Sequence, residues 1–333
     1  MNYSARETFG GDAGKSSAIS ILTAGFLAGC NTHQSTLAPF GADAADIRHL
    51  FIMMLVGAVL IAGGVALLMR HAVRAPEGSI DHRKGMRIVL WLGGIIPTVV
   101  LLGLLAYSLP YMKPRPASPA DLTIAVDGEQ FWWRVAYAPP GRPPILSANE
   151  IRIPTGRTVA FRLSGGDVVH SFWIPGLAGK MDMIPGRINS LVVRADKPGR
   201  YRGQCAEFCG LSHALMAFDV IAMPPAAFDA WLAEQARPAR PGDAAGARLF
   251  AENGCGGCHG IAGVNAPSRI GPDLTHFGSR RTLAAGILPM TEANVAAFIR
   301  HPEKTKPGVR MPSFPQLSDD EAIALARYLQ GLK

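Results

Sequence analysis

Charge is the first thing this chain has little of. Only 17% of its 333 residues are Asp, Glu, Lys or Arg, against about a quarter in an ordinary soluble domain. The formal net charge of +8 is not gathered into any run of Lys and Arg, and no basic stripe alternates with aromatics. Nucleic acid is therefore excluded as a partner class. With 37 glycines and 26 prolines the chain falls short of low-complexity composition, and 48% apolar residues exclude a disordered one. No internal repeat is apparent. Cysteine is scarce and odd in number: Cys30, Cys205, Cys209, Cys255 and Cys258. Five thiols do not make a plain disulfide framework. The length suggests about two soluble domains.

The missing charge is concentrated in two runs. Leu50 to Met69 is twenty residues without a formal charge, the length a helix needs to cross a hydrocarbon core, and Ile88 to Met112 is a second run. Pro97 and Pro110 in the latter would break a soluble helix but are tolerated in a spanning one. A buried pair of soluble helices is the competing reading. Between the runs lie Arg70, Arg74, Arg83, Lys84 and Arg87, which place the loop in the cytoplasm and both ends outside a bacterial plasma membrane. Upstream, the apolar stretch Ala18 to Ala28 ends in Leu27-Ala28-Gly29-Cys30. This predicts a lipoprotein-type signal over 1–29 and lipidation of Cys30, with an ordinary signal or an uncleaved anchor as alternatives. Residues 30–112 then form an N-terminal segment and a two-helix transmembrane hairpin.

Two Pro-rich stretches, Lys113 to Pro119 and Arg237 to Gly242, divide the rest of the chain. In 113–240, Val159, Phe161 and Leu163 alternate with Arg162, and Leu191, Val193 and Val220 lie in β-branched runs. The pattern predicts an antiparallel sandwich or barrel. In 241–333 it becomes helical. Ser318-Asp319-Asp320-Glu321 reads as a capping box leading into Leu325, Tyr328, Leu329 and Leu332.

The last two cysteines fall in Cys255-Gly256-Gly257-Cys258-His259, the C-x-x-C-H pattern of covalent haem attachment, in which His259 ligates the iron. A redox C-x-x-C is the alternative, but it would not carry the adjacent His. For the sixth ligand Met311, in the irregular stretch before the capped helix, is preferred over Met290, His276 and His301. The module resembles a class I cytochrome c, with Gly246 and Phe250 of its first helix placed to meet Tyr328 of its last. The second cluster is denser. Cys205, Glu207, Cys209, His213 and Met216 lie within twelve residues, and His170 follows a β-like run upstream. Two thiolates, two imidazoles and a thioether are a soft set suited to copper. Structural zinc and a Cys205–Cys209 disulfide are the alternatives.

The C-x-E-x-C-x-x-x-H-x-x-M pattern, with Val169-His170-Ser171-Phe172 upstream, resembles cytochrome c oxidase subunit II. So do Gly179 to Arg187, Tyr201 to Gln204, the helix pair and the Gly128-Glu129-Gln130 segment. With the haem module appended, it is similar to the cytochrome-c-fused, caa-type variety. The resemblance implies a two-helix hairpin, then an all-β cupredoxin-like Greek-key barrel, then an all-α cytochrome c domain. It implies binuclear copper, CuA, bridged by Cys205 and Cys209. His170 and His213 each hold one copper, and Met216 and the Glu207 carbonyl are the weak ligands. In the family the Glu207 side chain also reaches an interfacial magnesium, its plain alternative being a solvated carboxylate. The implied partners are subunit I, with haem a and the haem–copper centre, subunit III, membrane lipid, and cytochrome c or a quinol–cytochrome c reductase as donor. The implied activity is respiratory: oxygen reduction coupled to proton pumping in subunit I, with this chain as the electron input. Two spanning helices with His49, His71 and His82 only near their ends cannot build the oxygen site themselves.

One segment departs from the family. Phe131-Trp132-Trp133 has Phe where members that dock a separate cytochrome c usually have Trp, and residues 113–240 carry 15 basic against 11 acidic residues. Both count against an acidic docking face for a basic donor. Electrons are then expected to come mainly from the fused haem, with Trp132 or Trp133 near the path or, in the plainer reading, as core aromatics. Another CuA enzyme, such as nitrous oxide reductase, is the rival enzyme reading. A tethered copper-trafficking or redox-sensing protein is the rival from a non-enzyme class.

Overall fold

The structure, a computed structural model, describes residues 32–76, 78–112, 120–139, 141–240, 242–268 and 270–333. The expected signal segment 1–29, Cys30 and the 113–119 spacer lie outside the described residues. Among the described residues two helices come first, α1 (Ala42–Arg74) and α2 (His82–Met112), both long and apolar enough to cross a bilayer and neither covered along its apolar window. They outrun the uncharged stretches at 50–69 and 88–112, because charged residues such as Arg48 and Arg87 continue the helical backbone beyond the apolar span. Ahead of Pro97, α2 is wound as a π-helix over Val89–Ile95. The Thr98 hydroxyl donates to the Gly94 carbonyl there at 2.8 Å. A proline without an N–H is accommodated by such local re-bonding.

Ten strands build the next module: β1 (Leu122–Glu129), β2 (Trp132–Tyr137), β3 (Ile145–Ala148), β4 (Glu150–Pro154), β5 (Thr158–Gly165), β6 (His170–Trp173), β7 (Met181–Met183), β8 (Asn189–Arg194), β9 (Gly199–Cys205) and β10 (Ala217–Met223). They form two sheets of order β3-β2-β1-β5-β8 and β4-β10-β9-β6-β7. The alternation seen in the sequence appears as alternating burial along β1, β2 and β5, each with one face in the core. The expectation of purely antiparallel pairing needs correcting. β1 pairs with β5, and β4 with β10, in parallel. The chain leaves one sheet for the other between β3 and β5, so strands distant in sequence become neighbours running the same way. The core between the sheets is aromatic. Phe172 and Phe218 stack with centroids 4.7 Å apart, and Trp133 meets Phe218 edge-on at 4.9 Å. Gly203 faces this stack, where a Cβ would sit 2.1 Å from the Phe218 ring.

The segment before α1 is bound to this module. Phe40 is buried, stacks on Tyr201, donates from its N–H to the Gly176 carbonyl and accepts from Asp196 N–H. Ala44 N–H, in the first turn of α1, donates to the Leu177 carbonyl at 3.3 Å, so the start of this helix is fastened to the barrel.

After β10 come α3 (Pro225–Gln235), whose Trp231 meets Tyr137 edge-on at 5.2 Å, and then the helical module. That module consists of α4 (Ala244–Glu252), a two-rung hairpin of β11 (Thr282–Leu283) and β12 (Leu288–Pro289), α5 (Glu292–Arg300), the short α6 (Pro302–Thr305) and α7 (Asp319–Gly331). The Ser318 capping box is formed, with both reciprocal bonds in place. Helices α4 and α7 cross at Gly246, where a Cβ would lie 2.4 Å from the Ala324 carbonyl oxygen, and Phe250 meets Tyr328 at 5.8 Å. The two modules touch extensively. Glu150 of β4 accepts from Arg281 N–H, Arg152 reaches the Ser279 carbonyl, and Asp219 of β10 accepts from the Thr282 hydroxyl.

Candidate copper and haem sites

The copper donors sit where three strands end. β9 finishes at Cys205 and β10 begins at Ala217, so the intervening loop returns on itself. Cys205 N–H to the Met216 carbonyl at 2.9 Å closes it, and Ala206 N–H to the Ser171 carbonyl at 2.9 Å ties it to β6. β6 opens with His170, and its pairing of Phe172 with Cys205 brings the imidazole over the loop. The donors converge. Cys205 Sγ lies 3.9 Å from Cys209 Sγ, 3.9 Å from His170 Nδ1 and 3.2 Å from the Glu207 carbonyl oxygen. Cys209 Sγ lies 3.7 Å from His213 Nδ1 and 3.8 Å from Met216 Sδ. His170, Cys205 and Cys209 are buried together with mutually close donor atoms. The sulfur separation is about twice a disulfide bond, and both cysteines are free. Two thiols, two imidazoles and a thioether, with the Glu207 carbonyl beside them, are more donors than one tetrahedral zinc takes and fit two coppers.

Electrostatics treats the two thiols oppositely, the hydrogen bond with Cys205 and burial pushing Cys209 up. The hydrogen bond from Cys209 pushes Cys205 down to about 3, with His170 and the Ser171 and Glu207 backbone assisting. Burial opposes charge on His170, but the facing Cys205 and Asp167 overcome it and its pKa is raised. Asp167 accepts from His170 Nε2 at 2.9 Å and from the Gln130 and Val168 N–H groups. This second partner fixes the ring so that Nδ1 is aimed at the sulfurs.

The haem residues line one cavity. Cys255 lies on a 3₁₀ turn, and the loop is pinned by Asn265, whose amide donates to the Gly256 and His259 carbonyls. His259 Nδ1–H donates to the Pro272 carbonyl at 2.7 Å, leaving Nε2 for a metal. Burial lowers its pKa, which keeps the ring neutral and able to ligate. Cys255, Cys258, His259 and Met311 share the cavity with apolar side chains such as Phe250, Phe298 and Leu325. Arg280 also faces it, its pKa lowered by burial. A guanidinium in an apolar cavity fits the carboxylate of a haem propionate. Met290 lines a different hollow, His276 bonds the Arg237 carbonyl, and His301 sits beside Glu303.

Five residues of the β module complete that cavity: Glu129, Gln130, Phe131, Trp132 and Asn149. Of the two tryptophans read from the sequence, Trp132 is at the cavity under the Arg134 guanidinium, whereas Trp133 is wholly buried in the barrel core. Glu207 is exposed beside Phe208 and Leu211, which are 76% and 80% exposed. Sequence reading missed four residues. Asp167 could have been noticed three positions before His170. Gln130 donates to the Cys209 carbonyl at 2.6 Å, Arg310 pairs with Asp167 at 3.0 Å, and Lys306 is buried between the modules. For these three no local pattern signals the partner.

Residues 139–223 match the family described as cytochrome C oxidase subunit II, periplasmic domain, and residues 244–333 match cytochrome c. Cytochrome c oxidase subunit 2 of Alkalihalophilus pseudofirmus is 34% identical over 334 residues, covering 95% of this chain and 96% of that one. Subunit 2 of Bacillus subtilis is 35% identical over 260 residues, covering 74% and 72%. Among solved structures, the periplasmic domain of subunit II of cytochrome oxidase of Bradyrhizobium japonicum is 32% identical, covering 37% of this chain and 96% of that one with a TM-score of 0.34. The first module is thus a CuA-type copper domain and the second a haem c domain, carried on a two-pass membrane protein. The chain belongs to the cytochrome c oxidase subunit II family, in the form fused to a cytochrome c domain, and is a subunit of a haem–copper terminal oxidase.

Proposed function

We propose that this subunit is the electron input of its oxidase. Electrons arrive at haem c, held by Cys255, Cys258, His259 and Met311. They pass to CuA, held by His170, Cys205, Glu207, Cys209, His213 and Met216, and leave for haem a of subunit I, where oxygen is reduced and protons are pumped. The observation that carries this reading is the shared wall. Gln130 lines the haem cavity and donates to the carbonyl of Cys209, so one side chain separates the two sites. Tunnelling falls steeply with distance, and a wall one residue thick favours direct transfer over an external relay. Trp132 lies on the same wall, while Trp133 serves the core.

The exposed Glu207–Phe208–Leu211 edge of the copper loop supports a docking face for subunit I, with Glu207 as a magnesium ligand at that interface. Subunit III, and a soluble cytochrome c or a quinol–cytochrome c reductase feeding the haem, complete the assembly. The basic loop between α1 and α2 supports a cytoplasmic turn, with both soluble modules on the periplasmic face and Cys30 as a lipid anchor. The test is spectroscopic. The purified oxidase should show a mixed-valence binuclear copper EPR signal together with a low-spin c-type haem, and haem without that signal overturns the reading. Deleting residues 243–333 should lower turnover with soluble cytochrome c, and unchanged turnover would show that electrons bypass the fused haem.

A further inference from the structure

Met216 lies between two hydrogen bonds that both cross to the haem module. The residue before it, Leu215, offers its carbonyl to Lys306 Nζ at 3.1 Å, and the residue after it, Ala217, donates its N–H to the Ala285 carbonyl at 3.0 Å. Lys306 is 1% exposed. Its ammonium also donates to the carbonyls of Phe131, in the β module, and Ala284, in its own. An ammonium has three N–H donors and is costly to bury unless they are used. Here three carbonyls from three separate segments take them up, and one belongs to the copper loop.

The opposite side of the grip is a strained backbone. Ala284, Ala285 and Gly286, the tip of the β11–β12 hairpin, have φ of 55°, 59° and 78°. Two consecutive alanines in the left-handed region are unfavourable unless the surroundings hold them there. The surroundings do so through the carbonyls of this tip. Ala284 accepts from Lys306, Ala285 from the Ala217 N–H, and Gly286 from Arg202 Nη1 at 2.8 Å. Two of these three donors come from the β module, on the strands that flank the copper loop.

We propose that the haem module is a working part of the copper site: Lys306 and the hairpin tip clamp Leu215 and Ala217 and so set how closely the Met216 thioether approaches the two cysteines. Lys306 is then a positioning residue for copper, although it belongs to the other domain. The inference rests on the copper assignment under Proposed function. A weak, long thioether bond is where small displacements matter most, because the axial ligand tunes the potential of a copper–thiolate centre.

Lys306→Met in the intact oxidase keeps the apolar stem and removes all three donors. The expected result is an altered copper hyperfine pattern and a shifted copper potential, with haem-to-copper transfer slowed roughly 10-fold, the scale at which loss of a group supporting a metal ligand acts. The c-type haem spectrum and potential should not move. Lys304→Met, an exposed lysine nearby, should change neither centre. An unchanged copper signal and potential in Lys306→Met overturns the proposal. If that variant does not assemble, amide hydrogen exchange of Ala217 in the unmodified chain decides instead: strong protection supports the clamp and free exchange overturns it. A missing copper signal in the unmodified oxidase would instead count against the copper assignment itself.

Discussion

The copper and haem sites solve the same problem, holding a redox centre in a fixed frame, with opposite architectures. Five of the six copper donors fall between Cys205 and Met216, and the sixth is brought over them by one strand pairing. Backbone ladders and turns do the positioning, so the donors stand together within about 4 Å in the bare polypeptide. The haem site has a local anchor at Cys255 to His259, but Met311, the proposed second ligand on the cavity wall, comes from beyond the β11–β12 hairpin and two further helices. Part of its wall, Gln130 to Trp132, comes from the other module. A site made by one loop depends on strand geometry, while a site made between modules depends on packing. Removal of a donor should therefore silence one centre, whereas disturbance of packing inside the haem module, away from Lys306 and the hairpin tip, should weaken that module and leave the copper loop intact.

The largest expected effect is Cys205→Ser. Under the proposed assignment Cys205 would supply a thiolate to the binuclear copper, so the mixed-valence EPR signal should vanish entirely, while the c-type haem spectrum of the same preparation remains. No haem ligand is bonded to Cys205 or its loop, and a displaced haem band in this variant would show that the two sites are not separable in the way the architecture implies.

That separation explains what the sequence disclosed. Copper and haem anchors were legible because their spacing is local: C-x-E-x-C-x-x-x-H-x-x-M is one turn-rich loop, and C-x-x-C-H one helical turn. The hairpin was legible from uncharged length, and the last helix from its capping box. The parallel pairings β1–β5 and β4–β10 were hidden because alternation reports a buried face and says nothing of strand direction. Lys306 and Arg310 belong to no motif of the sequence. Only the docking of residues 90 to 180 positions away turns them into an internal clamp and an ion pair with Asp167. Trp132 and Trp133 were adjacent equals in the sequence, and strand alternation sends one to the haem cavity and the other to the core.

A smaller effect is expected of Gly246→Val. The Cβ alone would lie 2.4 Å from both the Ala324 carbonyl oxygen and the Tyr328 Cβ, so α4 and α7 must separate. Overpacking of this kind costs about 1–3 kcal/mol. The unfolding free energy from denaturant titration followed at the haem band should fall by that amount. The copper signal of the folded protein should not change, since the crossing lies away from Lys306 and the hairpin tip. A copper signal lost together with haem-module stability would mean the clamp is sensitive to packing throughout the module.

The smallest is Ser318→Ala at the head of α7. Ser318 Oγ accepts from Glu321 N–H, and Glu321 accepts from the Ser318 N–H and hydroxyl, so loss of the cap should cost about 1 kcal/mol. The backbone and side-chain hydrogen bonds from Ser318 hold the Glu321 carboxyl below its usual range. A carboxyl with a depressed folded pKa stabilises the helix above its unfolded value, and that stabilisation disappears as pH falls through the folded value. The haem-band midpoint should therefore decline on acidification in the parent protein and decline less in Ser318→Ala. Equal slopes would mean that Glu321 is held by the helix end alone and that the box adds nothing at this terminus.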